Sequence, residues 1–236
     1  RSWRRLMNEQ SHDETNPILH RSVEVPIAGH YLVRPPIDGG DRAMILGFHG
    51  YAENAETHLE RLLMIPGAEK DWLVSVQALH PFYRRRTGEV VASWMTKFHR
   101  EESIRENREY VDRVLDRLRK DAPKETPLVL TGFSQGVAMA YRACLSERHP
   151  PAALIVLGAD FPPDLAERSD LNLPPILLGR GNGDKLYPSE QFQKDLKTLE
   201  AIGANVTPCE FAGGHEWNKE CAEGVGDFLH GTNNGN

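Results

Sequence analysis

The sequence predicts an α/β fold, with a mostly parallel central sheet and helices on both of its faces. Three observations predict it. Six short apolar runs recur along the chain, each bounded by glycine, proline or charge. They are continuously apolar rather than alternating, as strands buried on both faces must be. Between them lie segments whose apolar residues keep helical spacing, so strands and helices alternate.

Taken in order, residues 1–20 mix charge and amides without a sustained period, and the segment is expected to be mobile, as is the small, polar tail 231–236. One α/β domain is expected over 21–230, without internal repeats or a Ser/Gly-rich linker. Arg21 to Ile27 and His30 to Val33 read as two strands joined at Ala28-Gly29, a hairpin at the sheet edge stopped by the turn cluster Pro35 to Gly40. The buried strands follow at Ala43 to Phe48, Trp72 to Leu79, Pro127 to Leu130, Ala152 to Leu157, Ile176 to Leu178 and Val206 to Phe211. Helical stripes are set by Val111, Val114, Leu115 and Leu118, by Phe192, Leu196 and Leu199, and by Ala222, Val225, Phe228 and Leu229.

Composition narrows the function. With 39% hydrophobic and 26% charged residues the 236-residue chain is neither disordered nor membrane-like in its totals. A net charge of −6 and a pI near 5.9 disfavour a sequence-independent grip on phosphate backbones, so nucleic acid is not an expected partner. No apolar run approaches the ~20 residues of a membrane span, and the N-terminus lacks the pattern of a signal peptide. Cys144, Cys209 and Cys221 form no C-x-x-C pair and read as free thiols in a reducing compartment, which makes the cytoplasm the expected location. The chain starts at Arg1, which leaves room for a leader removed by processing. The ten histidines show no metal-binding spacing, so no metal and no cofactor are expected.

The sharpest chemical signal is Gly132-Phe133-Ser134-Gln135-Gly136, directly after the run Pro127 to Leu130 and directly before Val137 to Ala143. Strand, tight turn and helix in that order make an elbow on which a serine occupies a strained conformation, with small neighbours two residues away on each side. The turn also sets Ser134 at a helix N-terminus, where N–H groups favour developing negative charge. A serine needs a base, and in this arrangement the base follows both the nucleophile and the acid in the chain. Only His149, His215 and His230 follow Ser134. His149 and His230 read as surface residues, whereas His215 lies in a Gly-Gly loop between the last apolar run and the last helix. Asp184, in a glycine-rich turn after Ile176 to Leu178, is the first choice for the acid, with Asp160 as the alternative. The oxyanion donors are expected to be the backbone N–H groups of Gln135 and Tyr51, the latter in the loop after Phe48, which His49 and Gly50 shape. His49 as the base would break the chain order.

On these residues the chain resembles the phospholipase/carboxylesterase family of α/β-hydrolases, which includes bacterial carboxylesterases and acyl-protein thioesterases. The resemblance rests on His49-Gly50, Ser93-Trp94, Gly132 to Gly136, Gly183-Asp184 and Gly214-His215-Glu216, and covers about residues 43 to 220. It implies an α/β-hydrolase core without a large cap domain, a Ser134-Asp184-His215 triad, and hydrolysis of carboxylic esters or thioesters, with lysophospholipids as a further substrate class. The expected partner is such a small-molecule substrate, and the expected state a monomer or homodimer. Ala52 and Glu53 stand where the family's thioesterases carry His-Gly-x-Gly-Asp, and Val137 where a further glycine often follows the elbow. These departures weigh against close kinship with the protein-depalmitoylating members. Trp94 and Phe98 are candidates to line a substrate pocket, with a core role as the alternative. Pro81 to Gly88, with its three arginines, reads as a solvated loop or as a border of the cleft. The same triad would also serve an acyltransferase or a lactone hydrolase, and a non-catalytic ligand-binding relative is the alternative from another class.

Overall fold

The computed structural model describes residues 18–37, 42–168 and 170–233; of the segments 1–20 and 231–236 expected to be mobile, 1–17 and 234–236 lie outside them, while 231–233 continue the last helix. A seven-stranded sheet runs in the order β1-β3-β2-β6-β7-β8-β9. Its strands are β1 (Tyr31–Arg34), β2 (Met44–Phe48), β3 (Trp72–Val76), β6 (Leu128–Phe133), β7 (Ala153–Leu157), β8 (Ile176–Gly181) and β9 (Val206–Phe211). All neighbours pair in parallel except β1, which lies antiparallel to β3. Every residue of β2, β6, β7 and β8 is buried, which is why these strands read as unbroken apolar runs. β6 and β8 run three residues further than their apolar runs, because Thr131, Gly132, Gly179 and Arg180 are buried without being apolar.

The helices are α1 (Ala55–Leu63), α2 (Arg100–Leu118), α3 (Gln135–Ala143), the single turn α4 (Pro163–Ala166), α5 (Ser189–Ala201) and α6 (Lys219–Asn233). They bury the two faces of the sheet as two cores. Met44, Leu46, Phe48, Val74, Leu130, Val156 and Leu178 meet α2, α3 and α5, while Ile45, Leu73, Val129, Ile155 and Leu177 meet α1 and α6. The two lists alternate along each strand, as side chains of successive residues must. No described helix is long and apolar enough to cross a membrane.

Three expectations need correction. The hairpin at 21–33 does not form: residues 18–30 carry no regular structure, and β1 alone joins the sheet. Val23, Val25 and Ile27 alternate like a strand but have no face to bury them, and remain 83%, 73% and 64% exposed. The Tyr110 ring occupies the expected turn, so close to Gly29 that a Cβ there would lie 2.1 Å from it, and its hydroxyl donates to the His30 carbonyl at 2.6 Å. Second, the run from Trp72 leaves the sheet at Val76, because the Ala78 N–H donates to His49 Nε2 instead of to the ladder. Third, Pro81 to Gly88 is not simply a loop. Antiparallel strands β4 (His80–Tyr83) and β5 (Val90–Ser93) form a separate hairpin, turned at Gly88 with φ +71°.

Candidate active site

The elbow is built by two close approaches that leave no room for a side chain. A Cβ at Gly132 would lie 2.4 Å from the Gly136 carbonyl oxygen, and one at Gly136 would lie 2.0 Å from that of Phe48. Helix α3 therefore packs directly against β6 and β2. Between these glycines Ser134 adopts φ +52° and ψ −122°, a conformation that costs an L-residue about 1–3 kcal/mol. Its own N–H is held by the Leu157 carbonyl at 2.9 Å.

Three loops at the carboxyl ends of β6, β8 and β9 bring Ser134, Asp184 and His215 into one hydrogen-bonded line. His215 Nε2 lies 2.9 Å from Ser134 Oγ, and His215 Nδ1 lies 2.8 Å from Asp184 Oδ2. Asp184 Oδ1 accepts the N–H groups of Leu186 and Tyr187 at 2.8 and 2.9 Å, so one oxygen anchors the carboxylate and the other is left for the imidazole. An ionised carboxylate only accepts, so Nδ1 carries the hydrogen and Nε2 presents its lone pair to the serine. The loop that carries His215 fits against the end of β8, where a Cβ at Gly181 would lie 2.2 Å from the Gly214 carbonyl oxygen. Asp160 stands exposed on the wall of the site, and the imidazole pairs with Asp184 instead. The other two histidines are engaged elsewhere: His149 is buried and faces Asp116 at 3.0 Å, which corrects its reading as a surface residue, and His230 faces Arg42 at 3.2 Å.

The loop after β2 covers Ser134 from the other side. His49 is fully buried; its Nε2 accepts the Ala78 N–H at 3.1 Å, which leaves Nδ1–H to donate to the Gly50 carbonyl at 2.8 Å. Burial holds its basicity below the ordinary histidine value against the opposing pull of that carbonyl. A histidine with both nitrogens engaged shapes the loop, and no lone pair remains for Ser134. Glu53 accepts the Gly50 N–H at 2.7 Å and a bidentate pair from Arg61 at 2.6 Å each. Burial raises the Glu53 carboxyl, but the Arg61 hydrogen bonds and charge outweigh it and hold it below the usual range. Neither the Tyr51 N–H nor the Gln135 N–H meets an acceptor among the described residues, and a Cβ at Gly50 would lie 3.3 Å from that of Ser134.

An open cavity of about 480 Å³ starts at Ser134 and His215 and runs past Ala138, Asp160, Leu186, Tyr187 and Gln191. Trp94 and Phe98 do not line it. Trp94 is fully buried behind the His49 loop, donating from Nε1 to the His49 carbonyl at 2.8 Å, while Phe98 is 72% exposed beside His99. The sequence reading missed Leu186, Tyr187 and Gln191, although the first two lie only two and three residues after Asp184. It also missed the Gln135 side chain, which reaches Trp94 N and the Met95 carbonyl at 3.0 Å each. Among the described residues no group of three or more His, Cys, Asp or Glu could hold a metal.

Comparison with known proteins agrees with this architecture. No curated protein sequence matches. Among solved structures, esterase PE8 superposes with a TM-score of 0.69 at 20% identity, covering 87% of this chain and all of its own. Zea mays acyl-protein thioesterase 2 gives 0.66 at 20% identity over 87% and 100% of the two chains. The Bacillus cereus carboxylesterase gives 0.65 at 16% identity over 86% and 94%. Likeness at such low identity shows the α/β-hydrolase fold, here without a large cap. The phospholipase/carboxylesterase family profile matches residues 36–233, and the chain is therefore an enzyme of the phospholipase/carboxylesterase family.

Proposed function

We propose that the protein hydrolyses carboxylic esters through an acyl-enzyme on Ser134, with His215 as the base and Asp184 as the group that orients it. The single observation that carries the reading is the line of two hydrogen bonds, 2.8 and 2.9 Å, from Asp184 through His215 to a serine held at φ +52°. Ser134 Oγ attacks the carbonyl carbon as its proton passes to His215 Nε2. The resulting oxyanion accepts hydrogen bonds from Tyr51 N–H and Gln135 N–H, which are set before the reaction and cost no reorganisation during it. The imidazolium then gives its proton to the leaving alcohol or thiol, and the carbonyl re-forms as an ester to Ser134. Water, deprotonated by the same imidazole, repeats the sequence and releases the acid.

The cavity bears on substrate size. At about 480 Å³ it lies within the range of pockets that take up a drug-sized ligand, and it is open to solvent beyond Leu186, Tyr187 and Ala138. Thioesters use the same line of residues, since only the leaving atom changes. The test is hydrolysis of a p-nitrophenyl ester series from acetate to palmitate by wild type and Ser134→Ala. Serine-dependent turnover is expected, and the chain length at which it peaks reports how much of the cavity the acyl group fills. Equal turnover by the Ser134→Ala variant would refute the assignment.

A further inference from the structure

We infer that Arg84, on the β4–β5 hairpin, is a positioning residue for the oxyanion donor Tyr51 N–H, acting through two peptide units. This rests on the proposed role of that N–H. The Arg84 side chain donates from Nη2 to the Ala52 carbonyl. That carbonyl shares its peptide plane with the Glu53 N–H, which donates to the Gly50 carbonyl at 3.3 Å. The Gly50 carbonyl in turn shares its plane with the Tyr51 N–H. In a trans peptide the carbonyl and the N–H point to opposite sides, so fixing one fixes the other. Arg84 thus aims the Ala52–Glu53 peptide, and that peptide helps to aim the Gly50–Tyr51 peptide at Ser134. A cation at the start of such a chain also polarises each hydrogen bond after it.

The loop needs this hold. Ala52 sits at φ +56°, a region that a glycine enters freely and an alanine does not. It is kept there by Ala52 N–H to the Ala92 carbonyl at 3.0 Å and by Ala92 N–H to the Glu53 carbonyl at 2.8 Å. Arg84 is itself anchored across the hairpin turn, by its ion pair to Glu89 at 3.1 Å and by its N–H to the Glu89 carbonyl at 2.8 Å. The residues that follow this strand hold the side chain of the residue that carries the other donor. Just after Ala92, Trp94 N–H and the Met95 carbonyl clamp the Gln135 side chain at 3.0 Å each. One stretch, Ala92 to Met95, therefore spans both sides of the oxyanion position, and Arg84 completes its hold on the side that carries the strained alanine.

The test compares Arg84→Ala, Arg84→Met and Arg84→Lys with wild type and Ser134→Ala on one p-nitrophenyl ester, together with thermal unfolding and inhibition by an aryl trifluoromethyl ketone. That ketone adds to the serine as a tetrahedral oxyanion and reports on the donors directly. Removing a whole oxyanion donor costs about 100- to 1,000-fold, and loosening one is expected to cost about tenfold. Arg84→Ala and Arg84→Met should lose about tenfold in kcat with KM unchanged, and the same factor in ketone affinity, at an unchanged unfolding temperature. Arg84→Lys should recover most of it. Arg84→Met keeps the aliphatic stem and carries the test should Arg84→Ala fail to fold. If Ser134→Ala is inactive while Arg84→Ala and Arg84→Met keep wild-type kcat and ketone affinity, the inference about Arg84 is overturned and the reading of the site stands. A loss confined to KM, with ketone affinity unchanged, overturns it equally. Should Ser134→Ala retain turnover, the reading of the site falls and takes this inference with it.

Discussion

Replacing Asp184 by asparagine tests the proton arrangement with almost no change of shape. Asp184 Oδ1 accepts two backbone N–H groups, from Leu186 and Tyr187, at 2.8 and 2.9 Å. An asparagine can satisfy both only by placing its carbonyl oxygen there, which turns its amide nitrogen toward His215 Nδ1, 2.8 Å away. The amide then donates to Nδ1 and stabilises the tautomer with hydrogen on Nε2. That nitrogen, 2.9 Å from Ser134 Oγ, can no longer take the serine proton. The corresponding change in a serine protease lowers kcat about 10,000-fold, or about 5.4 kcal/mol of activation free energy at 1.36 kcal/mol per tenfold. Asp184→Asn should therefore lose about four orders of magnitude in kcat on a p-nitrophenyl ester, with KM and unfolding temperature close to wild type. Stopped assays at enzyme concentrations up to micromolar would resolve the residue of activity. A variant that retained more than about a tenth of wild-type kcat would refute the tautomer argument and return attention to Asp160, which stands on the wall of the same site.

Three further outcomes follow from the packing and the charges. Gly136→Ala sets a methyl 2.0 Å from the Phe48 carbonyl oxygen, a backbone atom that cannot swing away, so it should destabilise the fold by at least about 1–3 kcal/mol in urea titration and abolish turnover. His58 is fully buried and neither of its ring nitrogens has a partner among the described residues, so burial holds its basicity well below the ordinary value, as it does to a lesser degree for His49. The unfolded chain takes up these protons near pH 6.5 and the folded chain does not. Stability is then complete above about pH 6.5 and falls as pH drops below it, by up to about 1.4 kcal/mol per pH unit for each histidine. His58→Leu should remove one of these increments from the pH dependence of urea unfolding, and an unchanged slope would contradict the assignment. Arg61→Met leaves the Glu53 carboxylate largely buried with only the Gly50 N–H, and should cost about 3 kcal/mol in stability together with part of the activity, because Glu53 fixes the loop over Ser134. Loss of stability below about 0.5 kcal/mol would show that the pair is solvated and of little account.

What could be read from the sequence follows from what each element buries. β2, β7 and the first parts of β6 and β8 lie between two layers of helices, and the resulting apolar runs leave no ambiguity. Helix α1 escaped notice because its buried face consists of Ala55, His58 and Leu62, and a histidine breaks the apolar stripe that marks a helix. The capping Asn54, whose side chain accepts the Thr57 N–H at 2.9 Å, was the available signal. The β4–β5 hairpin escaped because His80 to Tyr83 is largely exposed, so it lacks the period of a half-buried strand. Residues 21–27 misled in the opposite direction: alternation is necessary for a surface strand but supplies no partner for it.

The same distinction holds at the site. Ser134, Asp184 and His215 could be named because strand-end chemistry, glycine placement and chain order constrain them, and the structure has them in hydrogen-bonding contact. Trp94 and Phe98 could not be assigned, since an aromatic residue in sequence says nothing about the side of a loop on which it lies. Trp94 fills the space behind the loop and supports it, and the cavity is lined instead by residues that trail Asp184. Arg84 lies 50 residues before the serine, in a run of three arginines, and the bridge between Glu53 and Ala92 brings the hairpin that carries it to the loop.

Covalent chemistry at Ser134 is visible to intact-protein mass spectrometry during turnover. Wild-type enzyme mixed with a p-nitrophenyl ester and quenched in acid within the first turnovers should show a mass increase of one acyl group, lost again as substrate is exhausted. Peptide mapping should place that group on the fragment containing Ser134, and Ser134→Ala should show neither the adduct nor turnover. An adduct on another residue, or undiminished turnover by Ser134→Ala, would contradict an acyl-enzyme on Ser134.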